Sequence, residues 1–595
     1  MTAEAAGRLA RRSSSGPQVA VDTCARRLRA LDVAGPLLGP EGSITWYGPG
    51  RFPPGSPGSE AAVQAVCGLM EVNGRDRGIP QRLGLDVASV AAGLLAAQGA
   101  LAADIACRRG LDVAGVGTSV LQAGLLLASN YYVVATELGD AVPGGPLPAP
   151  GPPFCSADGV WFELDTFDPD RWKRFWSELG GAGADLGRGW TVFQWRYERA
   201  TCSLPAGLHE AAARRPLAEL ERVAAQAGVS LSPVRDYADV LADLDPGLAA
   251  RPTVRPAGAG DGQRPPERRA EVALPLAGIR VVEATSRIQG PFAGMLLRML
   301  GADVVRVQPP EGDYGRAALC LHRGKGTVRL DLATGAGRAE LVELVAGADV
   351  FVHNWRPGKA AEWGLTVEDL LRCQPRLVYA HTSGWGERAQ ARRLMGTDFL
   401  VQAYAGLGQG LNPEDEPPFP SRVVLCDLFG GLVGAEGVLA GLQRRARHGG
   451  AWEVRSSLLA GAMALQADVL EAIVADKEIG RRRGRPVWGV LDRPVPTAEG
   501  WLVVTVEEDE SFRCLCEACG VDPAGASPAV TEGRVARRLA EGSAAGWVES
   551  LFEVGVAAAE VREALASATT DPRLAHLFEP VGAAGRAPRS PWTFA

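Results

Sequence analysis

The run Leu276-Ala277-Gly278-Ile279-Arg280-Val281-Val282-Glu283 is followed by Gly290-Pro291, by an apolar stretch over 292–300, and by Gly301-Ala302-Asp303-Val304-Val305-Arg306-Val307. Two short β-branched runs of the buried-strand type flank a stretch of helical length that Gly-Pro opens and Gly closes. Strand, turn, helix and strand make a βαβ unit, the building block of a parallel sheet, so the segment predicts an α/β fold. A further apolar strand over 349–353 runs into the turn Asn354-Trp355-Arg356-Pro357-Gly358.

Beyond this block the chain repeats itself. Gly396-Thr397-Asp398-Phe399-Leu400-Val401-Gln402-Ala403 answers Gly58-Ser59-Glu60-Ala61-Ala62-Val63-Gln64-Ala65. A second carboxylate follows at similar spacing, Asp427 in the second copy and Asp86 in Gly84-Leu85-Asp86-Val87 of the first. Thr118-Ser119-Val120-Leu121-Gln122-Ala123-Gly124 answers Arg455-Ser456-Ser457-Leu458-Leu459-Ala460-Gly461, and the turn Ser156-Ala157-Asp158-Gly159 answers Thr497-Ala498-Glu499-Gly500. Nothing like the βαβ block precedes Glu60, so the first copy reads as truncated at its front. The resulting plan is a disordered tail over 1–20, a partial large domain over 21–150 and a small domain over 151–250. A linker over 251–273, rich in Pro, Gly, Ala and Arg, leads to a second large domain over 274–475 and a second small domain with a C-terminal return over 476–595.

Composition narrows the classes. A chain of 595 residues exceeds what one core supports. A hydrophobic share of 46%, a charged share of 22% and a net charge of -7 fit a soluble globular protein, with no general pull toward nucleic acid or an anionic membrane. The longest apolar runs are interrupted by Gly, Gln and Asp, and no membrane span is expected. Eleven scattered cysteines, an odd number, suit reduced thiols and a cytoplasmic home. Cys514, Cys516 and Cys519 cluster, but they fall opposite Arg174, Trp176 and Leu179 in the repeat and read as helix-face residues, so no metal site is expected.

The segments quoted above, with Glu311-Gly312-Asp313, Leu330-Asp331-Leu332, Pro375-Arg376-Leu377-Val378 and Gly396-Thr397-Asp398, together resemble the class III CoA-transferases of the CaiB/BaiF type. The resemblance spans most of 276–595, and from about Trp46 to Ala250 the first copy resembles the same family from its mid-point onward. It implies a Rossmann-like parallel-sheet large domain plus a small α+β domain, duplicated in one chain as an interlocked pseudo-dimer. Active sites would then lie between the large domain of one copy and the small domain of the other.

The resemblance also assigns chemistry. Asp427 matches the family nucleophile, which forms an aspartyl anhydride and then an aspartyl-CoA thioester; Asp398 matches an acidic neighbour. Asp86 and Glu60 are their vestigial counterparts, and coenzyme A enters as the acyl-CoA substrate. Residues alone allow a plainer reading, since Asp427 precedes a helix-like run over 428–445 and aspartate is a common N-cap. The resemblance points to Arg287, Asn354, Trp355 and Gly358 for CoA binding, with Trp355 able to pack on adenine and Glu362 unfavourable to a phosphate. An acyl-CoA donor and a carboxylic acid acceptor are the implied partners. A non-catalytic acyl-CoA-binding homologue is the alternative. An α-methylacyl-CoA racemase is disfavoured because Thr397 and Ser59 stand where that activity needs a histidine.

Overall fold

The computed structural model describes residues 17–31, 44–111, 113, 115–139, 151–258, 274–312, 315, 317–387, 394–475, 481–482, 484–506 and 508–594. In the first copy the elements that build the site are α1 (Gln18–Ala30), β1 (Ile44–Thr45), α2 (Glu60–Val66), α3 (Val87–Arg108), β2 (Val116–Ser119), α4 (Ser129–Leu138), β3 (Trp161–Asp165), α5 (Gly183–Arg199) and β4 (Thr253–Gly258). The second copy contributes β5 (Arg280–Ala284), α6 (Gln289–Met299), β6 (Asp303–Gln308), β7 (Gly326–Arg329), β8 (Val350–His353), β9 (Val378–Ser383) and α7 (Asp398–Tyr404). It continues with α8 (Leu425–His448), β10 (Ala451–Ser457), β11 (Trp501–Thr505) and β12 (Thr593–Phe594).

The βαβ unit forms as β5, α6 and β6. It seeds a seven-stranded sheet of order β4-β10-β9-β8-β5-β6-β7, parallel except for β4. Val281, Val282, Val304, Val350, Phe351 and Val352 are buried, as strands covered on both faces require. From β5 the chain builds outward to β7 and then returns through β8 to the other side. The order therefore reverses between β5 and β8, and the crevice at their carboxyl ends is where open α/β sheets bind ligands.

The two copies interlock through their closing strands. β4, the end of the first copy, pairs antiparallel with β10, setting Val254 opposite Val454 and Thr253 opposite Arg455. β12, the end of the second, pairs antiparallel with β2, setting Phe594 opposite Val116. Each copy thus lends its last strand to the other's sheet. This corrects the linker reading: residues 253–258 form an edge strand, where Pro256 breaks no essential ladder because one side of the strand is unpaired. Residues 259–273 of that expected linker lie outside the described residues.

The N-terminal reading also changes. Residues 1–16 lie outside the described residues, but 18–20 belong to α1 rather than to a tail. Gly93 of α3 faces Ala20 and Thr23 of α1 as Gly431 of α8 faces Gln289 and Phe292 of α6. The first copy therefore keeps the helix of the βαβ block, and residues 32–43 after it are not described. Arg27 on α1 donates from Nε to Glu436 of α8 at 2.9 Å, and from Nη1 to the Ala250 carbonyl at 2.6 Å, with both side chains buried. By length and composition α3 and α8 could each cross a bilayer, yet both are buried inside the protein and pack on one another.

Candidate active site

Asp398 opens α7 and Asp427 lies in the first turn of α8. The N-cap of α8 is Val424, which has no side-chain acceptor to offer, so Asp427 is inside the helix and does not cap it. Distant groups cap it instead. One oxygen of Asp398 accepts the Asp427 N–H at 2.8 Å, and the Cys426 N–H also points to this carboxylate. The Tyr131 hydroxyl, from α4 of the first copy, accepts the Val424 N–H at 3.1 Å. Gln402, one turn along α7, donates to the other Asp398 oxygen at 2.6 Å and to the Val423 carbonyl at 3.0 Å, tying the two helices together.

Asp398 is fully buried, whereas Asp427 keeps 8% exposure. Burial holds the Asp398 carboxyl up to about 7, against hydrogen bonds from Gln402, Asp427 and Cys426 and the charge of Arg196. Burial drives Asp427 well above the carboxylate range, and the Asp398 charge adds to it; the Gln289 N–H and Arg287 oppose both. The two buried carboxylates act on one another, and each is held toward its protonated form.

The other copy's small domain covers the pair. Arg196 of α5 is fully buried, 3.1 Å from Glu163 and 3.0 Å from Asp165, both on β3. Its guanidinium lies 4.5 Å from the Phe399 ring centroid, next to Asp398, and the Tyr197 ring packs on Phe399 at 5.1 Å. The Tyr197 hydroxyl donates to Asp165. Phe167 stacks under Arg287 at 3.7 Å, bridging the first copy's small domain to the β5–α6 turn. Arg287 adopts φ 67°, a strained backbone for a residue with a side chain.

The expected CoA-binding residues gather at the crevice between β5 and β8. Asn354 latches its two loops, accepting from the Ser286 N–H at 3.0 Å and donating to the Ser286 carbonyl at 2.8 Å. The half-buried Trp355 ring packs among His353, Phe351 and Trp363. Gly358 is exposed and left-handed, with open space where a Cβ would stand. Lys359 pairs with Glu362 at 2.7 Å, so the unfavourable glutamate is partly neutralised by its neighbour.

The first copy repeats the carboxylate arrangement with one change. Glu60 accepts from Gln64 at 3.0 Å, from the Ala88 N–H at 2.9 Å, and from the Ser89 N–H and hydroxyl at 2.9 and 2.7 Å. Glu60 to Ser89 and Asp398 to Asp427 each span 29 residues. The counterpart of Asp427 is therefore Ser89, not Asp86. Asp86 is the N-cap of α3, the place Val424 holds on α8. The repeat around Ser119 also shifts by one residue, since Ser119 and Ser457 each cap the following helix. Burial and the Asp86 charge raise Glu60 to about 6, with its hydrogen bonds opposing. Sequence reading missed Asp165, Arg196, Tyr197 and Tyr131. One signal was present: Leu186, Gly189, Phe193 and Arg196 share the buried stripe of α5, and an arginine at a core position demands partners.

The model of CoA-transferase family III matches residues 42–273 and again 276–578. The succinate–glutarate CoA-transferase of Agrobacterium fabrum is 31% identical over 275 residues, covering 42% of this chain and 67% of that protein. The succinyl-CoA:glutarate CoA-transferase of Mus musculus is 30% identical over 262 residues, 41% of this chain and 59% of that protein. A crystal structure of a CAIB/BAIF family protein from Brucella suis aligns with 23% identity and a TM-score of 0.47, over 53% of this chain and 96% of that one.

Proposed function

The chain belongs to CoA-transferase family III, and we propose that it moves CoA from an acyl-CoA donor to a carboxylic acid acceptor, using Asp427 as the nucleophile. The observation that carries this reading is the position of Asp427. It sits in the first turn of α8, paired with Asp398 and facing the Gln289 N–H, at a site the other copy's small domain encloses. A helix N-terminus stabilises a carboxylate and offers N–H groups to a developing oxyanion.

In the proposed reaction an Asp427 oxygen attacks the thioester carbonyl, and the C–S bond breaks to give an aspartyl anhydride and CoA thiolate. The thiolate attacks the aspartyl carbonyl and releases the donor acid, leaving an aspartyl-CoA thioester. The acceptor carboxylate attacks that thioester and expels the thiolate as a second anhydride forms. Thiolate attack on the acceptor carbonyl then releases the new acyl-CoA and restores Asp427. The relatives named for succinate and glutarate support a carboxylic acid acceptor. Arg287, Asn354, Trp355 and Gly358 would hold the CoA portion at the β5–β8 crevice. Ser89 in place of a second nucleophile supports one working site per chain.

The test is to incubate the full chain with an acyl-CoA donor and hydroxylamine, which traps an activated aspartyl group as a hydroxamate. Modification of Asp427 in peptide mass spectra is the expected result. Exchange activity without any modification of Asp427 would overturn its role.

A further inference from the structure

Two histidines hold the turn after β8. His353 ends β8, and His381 lies opposite it on β9. Their rings stack with 4.5 Å between centroids and 10° between planes. Between them they bind both backbone polar groups of Trp355. Its N–H donates to His353 Nδ1 at 3.4 Å, and its carbonyl accepts from His381 Nε2 at 3.0 Å. We propose that His353 and His381 are positioning residues that preset the Trp355 turn for the nucleotide portion of CoA. The proposal rests on the reading that places CoA at the β5–β8 crevice.

The two bonds fix the tautomers. An accepting Nδ1 places the His353 proton on Nε2, and a carbonyl partner places the His381 proton on Nε2 as well. His353 is 3% exposed, and burial, with His381 beside it, drives its imidazole well below the ordinary histidine value. Its Nδ1 lone pair therefore stays available at neutral pH. The cost falls on the other nitrogen, since the buried His353 Nε2 meets no acceptor among the described residues. Phe351, Trp355 and Tyr379 surround the ring, a setting that an apolar side chain would fill without that loss. Packing alone gives no reason for an imidazole there; the Trp355 N–H does.

The turn is tied on its other side by the Asn354–Ser286 latch across the crevice. That latch sets where the turn stands relative to β5. The histidines set something different, the two peptide planes that flank Trp355, and its ring leans on His353 at 4.5 Å. Backbone and ring direction are thus fixed together. A ring held this way before a ligand arrives has little freedom left to lose on binding, and such preorganisation appears as affinity.

The test is titration calorimetry on the full chain with free CoA and with its nucleotide portion, adenosine 3′,5′-bisphosphate. Neither ligand needs an acyl group or an acceptor. Trp355→Ala is the benchmark and should weaken both. His353→Phe keeps a ring but removes the acceptor, and His381→Phe removes the donor; each should weaken both ligands about tenfold. His353→Asn restores an acceptor at the δ position and His381→Gln a donor at the ε position, so both should bind within about twofold of the unaltered chain. If phenylalanine at the buried position prevents folding, the two variants of the half-buried His381 carry the test alone. The proposal is overturned, with the CoA reading intact, if Trp355→Ala weakens both ligands while folded Phe variants bind like the unaltered chain. Asn and Gln variants as weak as the Phe ones overturn it too. A Trp355→Ala chain that binds both ligands undiminished overturns the CoA reading of this turn, and the proposal with it.

Discussion

Asp398 closes the helix that carries Asp427, accepting its N–H at 2.8 Å from 29 residues away. The group that fixes the backbone of the candidate nucleophile is thus also the group that competes with it for a proton. One carboxylate thus bears on both the geometry and the ionisation of this site.

Only one of the two copies has a carboxylate at the Asp427 position; the other has Ser89. Asp427→Asn should lower CoA exchange by about 10³-fold or more, whereas Ser89→Ala and Asp86→Ala should leave most of it. Steady-state exchange assays on the three variants check this, and comparable losses in all three would contradict a single working site.

The pH dependence of exchange follows from the raised carboxyls. A nucleophilic Asp427 must lose its proton, and burial together with Asp398 holds that proton on. Exchange should therefore rise with pH, about tenfold per unit below the limb. Removing the like charge with Asp398→Asn should shift the limb to lower pH and lower its plateau, because one amide oxygen replaces two carboxylate oxygens at the α8 N-terminus. A limb that stays in place would show that the pair is not coupled.

Stability should run the opposite way. Asp398 is raised to about 7 and Glu60 to about 6. A carboxyl raised on folding contributes stability that is complete below its unfolded value near 4 and is lost as pH climbs through the folded value. These two groups should thus lower the urea midpoint between pH 4 and about 7, and Asp398→Asn should flatten the part of the fall nearest 7.

The Arg27–Glu436 pair joins α1 to α8 across the two copies, with side chains 6% and 0% exposed. Arg27→Ala leaves Glu436 buried without its cation and should cost about 3–5 kcal/mol. The double change Arg27→Met with Glu436→Leu should recover much of that loss. Denaturant unfolding of the single and double variants measures both, and a single variant as stable as the double would show that the pair carries no net strain when broken.

The large domain was legible because its strands follow one another in sequence and β-branched runs bounded by glycine announce them. What escaped was set by contacts between distant segments. Residues 253–258 look like a linker until β10 supplies a partner. The helix from Gln18 to Ala30 becomes recognisable only beside Gly93, as its equivalent does beside Gly431. Asp86 drew attention as the only carboxylate near the expected place, but the constant span from Glu60 leads to Ser89, and a hydroxyl carries no visible signature of a lost nucleophile. Arg196 was missed for a related cause. A buried arginine makes sense only when the carboxylates that hold it are known, and those lie on β3, about thirty residues earlier.

The exchanged edge strands also constrain how the chain can be assembled. The first copy's sheet pairs Val116 with Phe594, so it stays one strand short until residues 593–594 are in place. A nascent first half, however complete its own sequence, must wait with an open β edge while the rest is synthesised, and such edges invite wrong pairings. Partnership between the halves is therefore a condition of finishing either one, and a fragment cut between them would leave each half with a sheet that only a second chain could close.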